Sequence, residues 1–172
     1  MFNWQPQHLQ NERVQLMPLH ANDYEELFAV ASDPLIWEQH PSNDRYKPEV
    51  FKEFFEEAIK TGTAFTIRDN ESGNIIGSTR YYDDFDNSIA IGFTFLARKY
   101  WGGEYNKLIK KLMLDYAFSL VDNVIFHIGA NNIRSQLATG KLGAIKTAEF
   151  YKELQSGRTL NYEYTIRKEN YI

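Results

Sequence analysis

Arg98-Lys99-Tyr100-Trp101-Gly102-Gly103-Glu104-Tyr105-Asn106-Lys107 lies between an apolar strand pattern, Ser88 to Leu96, and an amphipathic helix pattern that begins near Asn106. A Gly-Gly turn at such a junction lets backbone come close to an anion. The first N–H groups of the helix are unpaired and point outward, with the positive end of the helix dipole behind them. A second segment, Ala130-Asn131-Asn132-Ile133-Arg134-Ser135 leading to Lys141-Leu142-Gly143-Ala144, is also entered by an apolar strand. Together the two point to a phosphate-bearing cofactor laid across two strand–loop–helix units.

Charge patterning agrees. The chain is acidic overall, with 23 Asp+Glu against 19 Lys+Arg, yet Arg98, Lys99, Lys107, Lys110 and Lys111 cluster around a single acid, Glu104. A local positive field on a negative protein favours a specific anion over general nucleic-acid binding. The plainer reading is a glycine-rich turn with solvated lysines, and from the Gly-Gly alone that reading stands ahead.

A chain of 172 residues, 43% hydrophobic and 15% aromatic, is expected to form one domain over 1–172 with a real core rather than a disordered segment. With no cysteine, disulfides, thiolate chemistry and a Cys-based zinc site are excluded, and no metal is expected. Met1-Phe2-Asn3-Trp4-Gln5 lacks a basic region followed by an apolar run, and no window approaches a membrane span. We therefore expect a soluble, cytoplasmic protein with no membrane partner.

Val14 to Leu19 reads as a short strand stopped near Pro18. Asn22 or Asp23 is placed to cap a helix carrying Tyr24, Leu27, Phe28 and Ala31. Asp33-Pro34 opens a second short helix with Ile36 and Trp37, and Pro48 a third with Phe51, Phe54, Phe55, Ala58 and Ile59 on one face and Gly62 beyond its end. Ala64–Arg68, Ile75–Tyr82 and Ser88–Leu96, separated by turn-forming clusters, predict an antiparallel meander. Gly92 inside the last of these marks a bulge or a close approach. A helix from about Asn106 to Leu120 is expected to place Leu108, Leu112, Met113, Tyr116, Ala117 and Leu120 inward, with Lys107, Lys110, Lys111 and Asp115 outward. A strand at Val124–Ile128, a helix from about Ile133 to Lys141 and a terminal strand at Asn161–Ile166, paired across a Gln155-Ser156-Gly157 turn, complete a mixed sheet with helices on both faces.

In that order the segments resemble the GNAT acetyltransferases, and most of all their ribosomal-protein N-terminal acetyltransferase (RimJ/RimL-like) branch. Glu12–Leu19 is similar to the opening strand, Ala31–Trp37 to the second helix, and Ile75-Ile76-Gly77-Ser78 to the glycine-containing third strand. Ile91-Gly92-Phe93 is similar to the start of the fourth strand, Trp101–Asn106 to the pyrophosphate loop, and Asn132–Ser135 with Lys141–Ala144 to the second acetyl-CoA segment. The resemblance implies an α/β fold: one domain whose mixed, mostly antiparallel sheet of six or seven strands is splayed between Ile89–Leu96 and Val124–Ile128.

It also implies acetyl-CoA in the splay as co-substrate, without a metal. Phe95, Leu96 and Ala97 would pair with the pantetheine, and backbone of Trp101, Gly102, Gly103, Glu104, Tyr105 and Asn106 would cradle the pyrophosphate. Asn132 would bond the pantetheine arm, and a backbone N–H near Phe93 or Phe95 would stabilise the oxyanion. Ala90 stands where the branch often has a glutamate base and Thr139 where many members have a tyrosine acid. Ser135 keeps the matching position, where it would protonate the departing thiolate.

For the remaining roles the residues offer candidates. His127 is one for the base, against the commoner reading of a hydrogen-bonded core histidine. Trp37, His40 and Tyr82 are candidates to shape the acceptor entrance, although Trp37 also suits a core. The expected acceptor is a primary amine, either a protein N-terminus or a small polyamine-like or amino-acid-like compound, drawn in by the acidic turn Asp83, Asp84 and Asp86. A homodimer is left open. An inactive CoA-binding or regulatory module and an unrelated phosphate-ligand-binding domain are the alternatives to an enzyme.

Overall fold

The meander forms as its turns dictate. In the computed structural model, which describes residues 2–154 and 157–171, strands β1 (Leu9–Gln10), β2 (Val14–Pro18), β3 (Ala64–Asp69), β4 (Ile75–Phe85) and β5 (Ser88–Leu96) pair antiparallel in chain order. Asp86 and Asn87 both take left-handed backbone, φ 49° and 57°, so β4 and β5 are joined by a two-residue turn whose twist matches the strands. Strand β6 (Asn123–Gly129) lies parallel to β5, β8 (Gly157–Arg167) is antiparallel to β6, and β7 (Ile145–Leu154) is antiparallel to β8 at the edge. Of the turn expected at Gln155-Ser156-Gly157, Gln155 and Ser156 lie outside the described residues.

Among the described residues the sheet thus has eight strands, not six or seven. The additional ones are β1 and β7. Strand β7 carries no clean alternation because, as an edge strand, it is largely exposed on both faces; nine register pairs with β8 hold it through the ladder.

Hydrophobic clusters cover both faces. On one, helix α3 (Tyr105–Ala117) buries Ile109, Met113, Leu114 and Ala117 against Leu16, Phe65, Tyr81 and Val124. On the other, α1 (Tyr24–Ala31) and α2 (Pro48–Thr61) bury Leu27, Ala31, Phe51, Phe55 and Ala58 against Ala64, Ile75 and Phe95. Pro48 opens α2, and Gly62, at φ 61°, ends it. Asp23 precedes α1 without a side-chain cap bond; its carboxylate accepts from His20 N–H and pairs with Arg68 instead. Asp33 caps the short 3-10 turn Pro34–Ile36 by accepting from Leu35 N–H. The inward face of α3 is rotated from the expected one. Ile109 and Lys110 are buried, whereas Leu108, Leu112 and Tyr116 are only half-buried.

Two irregularities make the site. Strands β5 and β6 pair only from Ser88, Ile89 and Ala90 to Asn123, Val124 and Ile125. Beyond Ala90 they diverge, so a wedge opens where β5 keeps β4 and β6 keeps β8. Within β5 the register to β4 passes from Gly92↔Arg80 to Phe95↔Ser78, so Phe93 and Thr94 together oppose Thr79. Phe93 sits in this bulge at φ 53°. The expectation at Gly92 holds in both its forms: the bulge begins there, and an added Cβ would lie 2.8 Å from the Tyr82 ring.

Candidate active site

The wedge is a cavity of about 740 Å³. One wall is β5 with Phe93, Phe95 and Leu96, the other is β6 with Phe126, His127 and Ile128. Helix α4 (Ile133–Gly140) meets it through its first turn, and the segment from Trp37 to Arg45 closes the side opposite α3.

At the α3 end, Gly102 adopts φ 72°, a left-handed conformation that costs glycine little, and neither it nor Gly103 has a neighbour within 4 Å of an added Cβ. Trp101, Gly102, Gly103 and Asn106 line the cavity. Glu104 and Tyr105 do not: Glu104 is exposed at the N-cap position, and Tyr105 Oη donates to Asp69 Oδ1 at 3.0 Å. The basic cluster is largely engaged elsewhere. Arg98 pairs with Asp33 at 2.5 Å, Lys111 with Asp115 at 2.9 Å, and Lys99 lies over the Tyr100 ring.

Along the strand, Phe95 and Leu96 line the cavity while Ala97 does not; its N–H donates to Ile76 O, and Leu96 O accepts from the Trp101 indole at 2.9 Å. Asn132 caps α4, its Oδ1 accepting from Ser135 N–H at 3.2 Å, which leaves its NH2 as donor. Ser135 lines the cavity one residue after Arg134, whose guanidinium stacks 3.9 Å from the Trp101 ring centroid and donates to Ile36 O. Arg134 thereby ties α4 to both sides of the wedge.

On the other side of the bulge stands a polar chain. Tyr82 Oη lies 3.1 Å from His127 Nδ1, and His127 Nε2 lies 3.4 Å from Glu163 Oε2. Burial first, and the Asp83 charge second, push the Tyr82 phenol up, so it stays protonated. The Glu163 carboxylate can only accept, so Nε2 carries a proton toward it, and in the neutral ring Nδ1 is the acceptor for the Tyr82 hydroxyl. Asp83 sits at φ 53° in a β4 bulge, its carboxylate 4.0 Å from Nδ1. Of the acidic turn only Asp83 lines this cavity; Asp84 accepts from the Trp4 indole at 2.7 Å.

Trp37 and His40 border the cavity too. Trp37 is 3% exposed and its indole donates to Ala31 O, so it is core as well as wall. Sequence reading missed Arg45, Lys110 and Glu163. Lys110 had a signal: it stands four residues after Asn106, on the same helix face. Glu163 is opposite His127 in the β6–β8 register, which no local pattern reveals.

Lys110, expected outward, is 6% exposed. Its ammonium donates to Thr94 Oγ1 beside the bulge, and burial pushes its pKa down to about 7. A lysine whose folded pKa lies below its unfolded value binds fewer protons folded than unfolded between the two. Stability from this group therefore rises with pH from about 7 toward 10.5. Lys110→Met is expected to lose that rise and to gain stability at pH 7, on the order of 1–3 kcal/mol. Chemical denaturation of both proteins at pH 7 and pH 9.5 measures it; parallel pH profiles would show that Lys110 is not held in this way.

Among the described residues no helix is long and apolar enough to cross a membrane. No curated protein sequence matches the chain. Solved structures share the fold. The acetyltransferase (GNAT family) from Bacillus anthracis superposes with a TM-score of 0.78 at 18% identity, over 94% of this chain and 99% of that one. Mycobacterium smegmatis RimJ, in complex with CoA-disulfide, gives 0.70 at 16% identity over 91% and 82%. Spermidine N-acetyltransferase from Vibrio cholerae, with CoA and spermine, gives 0.68 at 17% identity over 94% and 99%. The profile of the acetyltransferase (GNAT) domain matches residues 13–145, well over half the sequence, and the chain belongs to that family.

Proposed function

We propose that the protein is an acetyl-CoA-dependent N-acetyltransferase in which a primary amine attacks the thioester directly. The observation that carries this reading is the wedge itself. Its β5 wall has backbone without a β6 partner beyond Ala90, a turn at Gly102-Gly103 and the α3 N-terminus stand at one end, and a titratable chain stands at the other. Those features fit an extended ligand with a pyrophosphate: unpaired strand backbone for an amide-bearing arm, helix N–H groups for the anion, and the Asn132 NH2 for the arm's far side. Two neighbours of this fold, solved with CoA-disulfide and with CoA, support a CoA-type ligand.

Acetyl-CoA supplies the activated acyl group. The Tyr82 hydroxyl takes the amine's proton as it passes its own to His127 Nδ1, and Glu163 faces the Nε2–H of the resulting imidazolium. Backbone N–H groups at the Phe93 bulge stabilise the oxyanion, and the Ser135 hydroxyl gives a proton to the leaving sulfur. The branch-specific acceptor, a protein N-terminus, is one member of the amine class this chemistry admits.

Calorimetry with CoA tests the binding half. Wild type is expected to bind at sub-millimolar concentration, and Asn132→Ser, which keeps the cap but removes the NH2, to bind roughly tenfold more weakly. Thiol release across peptides, amino acids and polyamines tests the transfer half. Binding without release for any amine would favour an inactive CoA module; no CoA binding at all would end the reading.

A further inference from the structure

The wedge and the cavity adjoining it hold more positive charge than their own contacts explain, with His40 and Arg45 lining the first and Arg80 the second. Arg80, on β4, is 6% exposed, and its Nε and Nη1 have no hydrogen-bond partner among the described residues. Its guanidinium lies 3.6 Å from the Phe93 ring centroid. Arg45 stacks on Phe54 at 4.5 Å and reaches Phe93 at 5.8 Å, so both cations share the same two rings. Each is pushed down chiefly by burial, and the next cause for Arg45 is the charge of Arg80. Stacking on a ring face leaves the in-plane N–H groups of a guanidinium unpaired, and those are the groups that grip an oxyanion.

His40 sharpens the case. Ser42 N–H donates to its Nδ1 at 2.9 Å, while burial, then the Arg45 charge, push its pKa down to about 3. The neutral ring therefore carries its proton on Nε2, 3.3 Å from Arg45 Nη1. Two donors face each other there with no acceptor between them. Lys152 borders the same space, which continues into an adjoining cavity of about 450 Å³ lined by Arg80, Tyr82 and Phe93. The acids near these cations are Asp44 beside Arg45, and Glu57 and Asp83 toward Arg80. They act as through-space charges only, and Asp83 leans toward His127.

We infer that the acceptor is a primary amine that also carries an oxyanion, a carboxylate or phosphate, seated on Arg45, Arg80 and His40 Nε2–H. Its amine then faces Asp83, His127 and Glu163. The inference rests on the acetyltransferase reading for the amine's role, and on geometry alone for the anion's. It separates this site from one built for a polyamine, which has no anion to offer the unpartnered Arg80 N–H groups or the facing Arg45 and His40 donors.

Calorimetry on the CoA-saturated protein tests it without requiring turnover. The probes are the common amino acids, their carboxamides, O-phosphoethanolamine and spermidine. At least one oxyanion-bearing amine is expected to bind tenfold or more tightly than its neutral counterpart, and carboxylates against phosphoethanolamine distinguish the two anion sources. Arg45→Met should erase that preference with CoA affinity unchanged. Arg80→Lys, which keeps a charge but not the fork, should reduce it and guards against a misfolded Arg80→Met. Carboxamides or spermidine binding as well as the acids, or a preference that survives Arg45→Met, would overturn the inference. Failure of the transferase reading shows separately, as absent CoA binding or absent thiol release.

Discussion

His127→Ala is expected to lower kcat by roughly 10²–10⁴-fold, the range typical of a lost general base, with CoA affinity close to wild type. The imidazole acts through the phenol: Nδ1 accepts from the Tyr82 hydroxyl, which relays the amine's proton, and Nε2 faces a carboxylate. A proton taken from the amine spreads over a ring with Glu163 and Asp83 on either side. The signature of that role is its pH dependence. As pH rises toward the acceptor's own pKa, more acceptor arrives already neutral. The deficit of His127→Ala should therefore shrink between pH 7 and pH 9. Steady-state kinetics over that range decides the matter. A loss equal at every pH would make His127 a wall of the pocket, and an unchanged kcat would pass the role to a water or to another residue.

How much of this was legible in the sequence depends on how local each cause was. The meander, Pro48, Gly62 and the Gly102-Gly103 turn could be read because their causes lie within a few residues: turn propensity, a fixed φ, a left-handed φ. The splay was expected from the family resemblance, and its physical cause is a parallel pairing that stops after Ala90. Strand β7 was invisible because an edge strand exposed on both faces needs no alternation. Lys110 was misplaced because a lysine on an amphipathic helix is ordinarily solvated, and its bond to Thr94 is a tertiary contact that no local pattern shows. Arg45 lies in an irregular segment with no period to read, and Arg80 sits in a strand where local pattern cannot say which face is buried. The acidic turn suggested a cationic acceptor; the buried arginines behind it are what make a zwitterionic or amino-phosphate one the better fit.

Gly77→Ala is expected to destabilise the protein by about 3 kcal/mol, at the upper end of overpacking costs, and to lower its Tm by roughly 6–12 °C. Gly77 faces Leu96 across the β4–β5 ladder, and an added Cβ would lie 2.0 Å from Phe95 O and 3.1 Å from Leu96 Cα. Those atoms are backbone, so no side chain can rotate to make room; β5 itself must move. The same β5 residues line one wall of the wedge, and Leu96 O anchors the Trp101 indole on which Arg134 stacks. Pushing β5 outward therefore disturbs the strand offered to the CoA arm and the tie between α4 and the α3 loop together. CoA affinity should fall along with stability. Gly103→Ala is the comparison, since its added Cβ meets nothing within 4 Å and its backbone is not left-handed. Its stability should stay within about 0.5 kcal/mol of wild type, while a loss of CoA affinity would report the close approach of a phosphate. Thermal denaturation and CoA calorimetry on both variants make the test. If Gly77→Ala melts with wild type, β5 is free to shift, and the rigid wall assumed for the wedge does not exist.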